Sequence, residues 1–113
     1  MDSVSLSVQV IYEAYGLAAT GVTVRLDRAT HGGWAELSRS KTDEDGQIRG
    51  WHCEPTSPGT YRLEFGTDAY FSSLGITPFY PAVTVEFRMP DPGYPYRTHL
   101  LLTPSSYLVY WQH

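Results

Sequence analysis

Tyr61-Arg62-Leu63-Glu64-Phe65-Gly66-Thr67-Asp68-Ala69-Tyr70-Phe71-Ser72-Ser73-Leu74-Gly75 changes its period in mid-course. Tyr61, Leu63 and Phe65 alternate with Arg62 and Glu64, the period of two required of a strand with one buried face. From Thr67 the alternation stops. Thr67 is placed to cap a short helix over Asp68 to Leu74, Asp68 suits the positive end of its dipole, and Gly75 supplies a stop before Pro78. A strand feeding one short helix sets the expectation for the whole chain, because everything around it reads as strand.

Upstream, Val4, Leu6, Val8, Val10 and Tyr12 alternate with Ser5, Ser7, Gln9 and Ile11, so Gln9 faces away from the core. Val22, Val24 and Leu26 give a second strand, Trp34 to Arg39 a third after Gly32-Gly33, and a fourth starts near Gln47 after the turn Asp43-Glu44-Asp45-Gly46. Breaks at Pro55 to Gly59 and Pro90 to Pro95 bound the remaining strands. Downstream, Val83, Val85 and Phe87 form the sixth, and Tyr96 to Thr103 and Tyr107 to Gln112 form a hairpin around Pro104-Ser105-Ser106. Tyr96, Thr98, Leu100 and Leu102 share one face of that hairpin, and Arg97, His99, Leu101 and Thr103 share the other. Both faces carry apolar groups, which predicts that the outer one meets a second subunit. The fold class is all-β: a Greek-key β-sandwich of about eight strands with one short helix.

The 113 residues fit one domain, 1–113, large enough to bury a sheet-against-sheet core. Nine Tyr, three Trp, ten Gly and eight Pro suit strands punctuated by turns. A net charge of -4 with no run of Lys or Arg leaves neither nucleic acid nor an anionic membrane as an expected partner. The single cysteine, Cys53, reads as a quiet thiol, and with no apolar leader a cytoplasmic location is expected. His31 and His52 lack partners at metal-ligand spacing, and Asp43, Glu44 and Asp45 lack the ligand spacing of a calcium loop. No metal or cofactor is expected.

Three stretches together resemble one family. Tyr61 to Pro81 resembles the strand, helix and exit loop of the 5-hydroxyisourate hydrolase and transthyretin family, Leu100 to Tyr107 its leucine-rich strand and following turn, and Lys41 to Gly46 its third turn. The similarity runs from about Leu6 to His113. It implies a transthyretin-like (prealbumin-like) sandwich assembled as a homotetramer, a dimer of dimers with a central channel. In the hydrolases of that family each channel mouth opens the ring of 5-hydroxyisourate with two histidines, one arginine and a tyrosine-arginine-glycine-serine tail; in transthyretin the channel carries thyroid hormone.

Carried over position by position, the resemblance puts Gln9, Gln47 and Arg97 where the hydrolases have the first histidine, the arginine and the second histidine. The tail reads Tyr110-Trp111-Gln112-His113. Arg49 reaches the place of the arginine only if a bulge carries it there. The altered set still has chemistry: His99 can move a proton, Arg97 can hold a carboxylate or a developing oxyanion, and Gln9 and Gln47 can orient a substrate, with Trp111 and His113 nearby. The expected protein acts on a small-molecule substrate, opening, closing or isomerising a cyclic or carbonyl-bearing compound. A non-catalytic binding or carrier protein, and a residual 5-hydroxyisourate hydrolase, stand as alternatives.

Overall fold

Alternation becomes burial along the first strand. In the computed structural model, which describes residues 4–53, 58–90 and 95–112, Leu6, Val8, Val10 and Tyr12 point into the core while Ser7, Gln9 and Ile11 face outward. The described strands are β1 (Val4–Tyr12), β2 (Leu17–Ala18), β3 (Thr23–Thr30), β4 (Gly33–Lys41), β5 (Gln47–Cys53), β6 (Gly59–Phe65), β7 (Val83–Met89), β8 (Pro95–Thr103) and β9 (Ser106–Gln112), with one α-helix, α1 (Thr67–Ser73).

They form two sheets. In the first, β1 pairs in parallel with β8, β8 with β9 in a hairpin, and the other edge of β1 takes β5 and the short β2 end to end. The second has the order β4-β3-β6-β7 and is antiparallel throughout. Between them lie Val24, Leu26, Tyr61, Leu63, Phe65, Val83, Met89, Tyr96, Leu100 and Leu102, with the inward residues of β1. Each fully buried large side chain contributes about 1.5–3 kcal/mol. Helix α1 closes one end: Phe71 is buried and meets the ring of Tyr12 edge-on at 5.4 Å. At the opposite margin, Trp51 of β5 donates from Nε1 to Ser38 Oγ of β4 at 2.8 Å, tying one sheet to the other.

The outer face of the second sheet is polar. Asp27 is buried beneath two guanidinium groups, accepting from Arg25 Nε at 3.0 Å and Arg62 Nε at 2.7 Å, and Arg62 lies over the ring of Trp34 at 4.4 Å. Arg25 also reaches Glu64 at 2.9 Å.

Three local expectations change. Helix α1 starts at Thr67 itself, with Gly66 as the N-cap and no side-chain cap bond, because the Thr67 side chain is drawn into the core. The strand around Trp34 runs two residues further to Lys41, paired along its length with β3. Residues 17 and 18 add a two-residue strand that the pattern did not predict, so the described strands number nine, in keeping with the expected sandwich of about eight. The breaks read at Pro55 to Gly59 and Pro90 to Pro95 fall largely on residues 54–57 and 91–94, outside the described residues.

Candidate functional site

The turn Asp43-Glu44-Asp45-Gly46 builds one wall of the site. Asp43 Oδ1 accepts from the backbone N–H of Asp45 at 2.8 Å and of Gln47 at 3.0 Å, an Asx turn that leads straight into β5. The Gln47 N–H, then that of Asp45 and the charge of Arg49, hold the Asp43 carboxyl below the usual carboxylate range. Gly46 adopts φ +71° and passes its carbonyl to the N–H of Val10 at 2.7 Å, seating the turn against β1. Thr42 locks the other side, donating to the Ala19 carbonyl at 2.6 Å and accepting from the Val22 N–H at 2.9 Å. With the turn fixed there, Gln47 falls opposite Gln9.

Register carries the row across the sheet. Gln9 pairs with His99 across the parallel β1–β8 ladder, and His99 with Tyr110 across the β8–β9 hairpin, so Gln47, Gln9, His99 and Tyr110 line up on the outer face. The neighbouring row runs Ser7, Arg97, Gln112. A third row, Ile11, Leu101 and Leu108, is apolar. The two polar rows enclose a cleft of about 450 Å³ lined by Ser7, Gln9, Gln47, Arg49, Arg97, His99 and Gln112, with Val8, Ile48 and Thr98 at its floor.

His99 is the centre of that cleft. Its Nδ1 lies 3.0 Å from Gln9 Oε1 and its Nε2 2.8 Å from Gln112 Oε1, while its ring stacks on Tyr110 at 4.7 Å and 8°. Two carbonyl acceptors need two N–H donors, the imidazolium form; a neutral ring keeps both contacts if one carboxamide turns to present its NH2. The Arg97 side chain, exposed beside it, makes no hydrogen bond or ion pair with the described residues. Arg49 donates from Nε to Gln47 Oε1 at 2.5 Å and from Nη2 to Asp45 Oδ2 at 3.2 Å. In a chain with twelve acidic and eight basic residues, the described residues that line the cleft include two arginines and a histidine and no carboxylate. Such a surface favours an anionic or carbonyl-bearing ligand.

Of the residues singled out from the sequence, Gln9, Gln47, Arg97 and His99 converge here. Trp111 does not: it pairs with Thr98 on the inward side of β9 and packs on Phe87, ring centroids 4.6 Å apart, so its expected place beside the cleft is corrected. His113 lies outside the described residues, as do the side chains of His52 and Cys53. His31 is exposed in the β3–β4 turn. Arg49 lines the cleft while Gln47 stays opposite Gln9, because the single irregularity of the β1–β5 pair sets Arg49 and Gly50 together against Ser7, between Leu6 and Val8, with Gly50 at φ +58°. Gln112 and Tyr110 were missed. Their signal was the hairpin turn: Thr103 opposite Ser106 sets His99 opposite Tyr110 and Arg97 opposite Gln112.

Residues 6–111 match the model of the HIUase/Transthyretin family. Among curated proteins, the chain is 38% identical over 112 residues to a 5-hydroxyisourate hydrolase of Mus musculus, covering 96% of this chain and 95% of that protein. It is 36% identical over 106 residues to a 5-hydroxyisourate hydrolase of Salmonella dublin, covering 93% and 78%. Among solved structures, sea bream transthyretin in complex with thyroxine superposes with a TM-score of 0.86 at 30% identity, covering 96% of this chain and 94% of that one.

Proposed function

Because the chain belongs to the HIUase/Transthyretin family, we propose that the His99 cleft is a retooled small-molecule site that opens, closes or isomerises a cyclic, carbonyl-bearing compound rather than efficiently hydrolysing 5-hydroxyisourate. The observation that carries this reading is the placement of His99, hydrogen-bonded at both ring nitrogens, beside the guanidinium of Arg97, which has no partner among the described residues.

In the ring-opening direction, His99 takes a proton from water as the water oxygen bonds to the ring carbonyl carbon. Arg97 stabilises the oxyanion that forms. The ring bond from that carbon to its heteroatom then breaks, and His99 returns the proton to the departing heteroatom. No electrons are gained or lost overall, and closure is the same sequence reversed. Gln9 holds Nδ1 and so directs Nε2 at the substrate, while Gln47, itself held by Arg49, presents an amide to the ring.

We assign the protein as a homo-oligomer of tetrameric form in the cytoplasm, acting without a metal or organic cofactor. The apolar outward row Ile11, Leu101 and Leu108 supports the oligomer, Leu108 being 58% exposed in the isolated chain. A carrier role has its own support in the thyroxine complex of the sea bream relative. The names of the hydrolase relatives support a residual 5-hydroxyisourate activity.

Decay of freshly generated 5-hydroxyisourate, followed by absorbance with wild type, Arg97→Ala and His99→Ala, separates these. Decay at the rate of the blank is expected. Fast decay that both substitutions abolish would overturn the retooled reading and return the cleft to the relatives' reaction.

A further inference from the structure

The two bonds of His99 are unequal in their surroundings. Nδ1 meets Gln9 on β1, a central strand flanked by β5 and β8, in a partly buried contact. Nε2 meets Gln112 on β9, the outermost strand of the sheet, in an exposed contact. That contact is the one hydrogen bond of the Gln112 side chain among the described residues. Gln112 also forms part of the cleft wall, diagonal to His99 and directly across from Arg97. An imidazole engaged at both nitrogens has no free position for a ligand, so one partner must leave before it can act, and Gln112, in the exposed contact, is the partner less firmly held.

We propose that Gln112 is a displaceable latch, its carboxamide filling on His99 Nε2 the seat that a ligand's carbonyl or carboxylate oxygen takes. The inference deepens the small-molecule reading of the cleft and rests on it. A carboxamide presents both an acceptor and a donor, so by turning it serves either protonation state of the imidazole and keeps the seat closed in both. The incoming oxygen exchanges one hydrogen bond for another at Nε2 and gains Arg97 as a second partner, which Gln112 does not use. That gain is greatest for an oxygen bearing negative charge. The ligand class is therefore a small ring or chain carrying an exposed carbonyl or carboxylate oxygen within reach of both groups.

The test titrates 15N-labelled full-length protein with acetate and, separately, with succinimide, reading the His99 ring nitrogens and fitting Kd. Gln112→Ala removes the competitor and should tighten binding about three- to tenfold, the value of one net hydrogen bond. Gln112→Glu, a charged latch that pairs with both His99 and Arg97, should weaken acetate binding several-fold. Gln112 is exposed at the end of an outer strand, so both variants should keep the wild-type amide spectrum. Probes that shift His99 in wild type but bind Gln112→Ala no more tightly would overturn the latch alone. Probes that leave His99 unmoved in every variant would overturn the small-molecule reading together with it.

Discussion

His99 and Gln9 face each other across a parallel strand pair, Nδ1 to Oε1 at 3.0 Å, so the imidazole of one strand is oriented by the carboxamide of its neighbour. In solution this bond should keep the Nδ1–H of His99 visible and slow to exchange in proton NMR. Gln9→Ala should abolish that signal while leaving the backbone spectrum of β1 and β8 intact. An unchanged Nδ1–H in the variant would show that Gln9 does not orient the ring.

Gly46 governs where Gln47 lies. Its left-handed φ of +71° is strained for any other residue, and an added Cβ would collide with the Val10 carbonyl oxygen and lie 3.0 Å from the Ala19 nitrogen. Gly46→Ala should lower stability by about 2–4 kcal/mol in urea unfolding, more than a surface substitution costs. It should also shift the Gln9 and Gln47 resonances, because the turn seats β5 on β1. A variant within about 0.5 kcal/mol of wild type would contradict this.

Asp27 is the charge on which the outer face of the second sheet is organised. Removing it leaves Arg25 and Arg62 facing each other over a buried position, each about a quarter exposed and so partly relieved by water. Asp27→Ala should therefore cost about 2–3 kcal/mol, below the range for a fully buried pair. Denaturant midpoints measure it, and a neutral result would mean the network contributes register rather than stability.

The Asx turn makes a pH prediction. With its folded pKa depressed by the N–H groups of Gln47 and Asp45, ionised Asp43 stabilises the fold above its ordinary value of 3.8, and the contribution is lost as pH falls through the folded value. Asp43→Asn keeps an acceptor oxygen but no charge. Its melting temperature should lie a few degrees below wild type near pH 6, and the gap should close as the pH drops below about 4. A gap that persists unchanged to pH 2 would place the effect outside this carboxylate.

Much of this molecule is legible in its sequence because strand alternation and turn residues are local signals. β1, β6 and β8 bury the residues their period assigns, and Gln9, Arg97 and His99 share a face for the same reason. Trp111 was misplaced because the tail was read by resemblance, whereas its direction is set by hairpin register from the Pro104-Ser105 turn. Thr67 has the chemistry of a cap, but core packing took its side chain inward and left the cap position to Gly66. The irregularity at Gly50 and the two-residue β2 depend on how distant strands meet, and no local pattern encodes that.

The most direct measurement incubates the protein with five- and six-membered cyclic imides, lactams and lactones, follows ring opening and closure by mass spectrometry, and measures binding of the same compounds by calorimetry. Wild type should convert at least one of them, with His99→Ala slowing conversion by about 100-fold or more while binding stays within a few-fold, and Arg97→Ala weakening both. Binding without conversion, unaffected by His99→Ala, would contradict the account and leave the cleft as a carrier's.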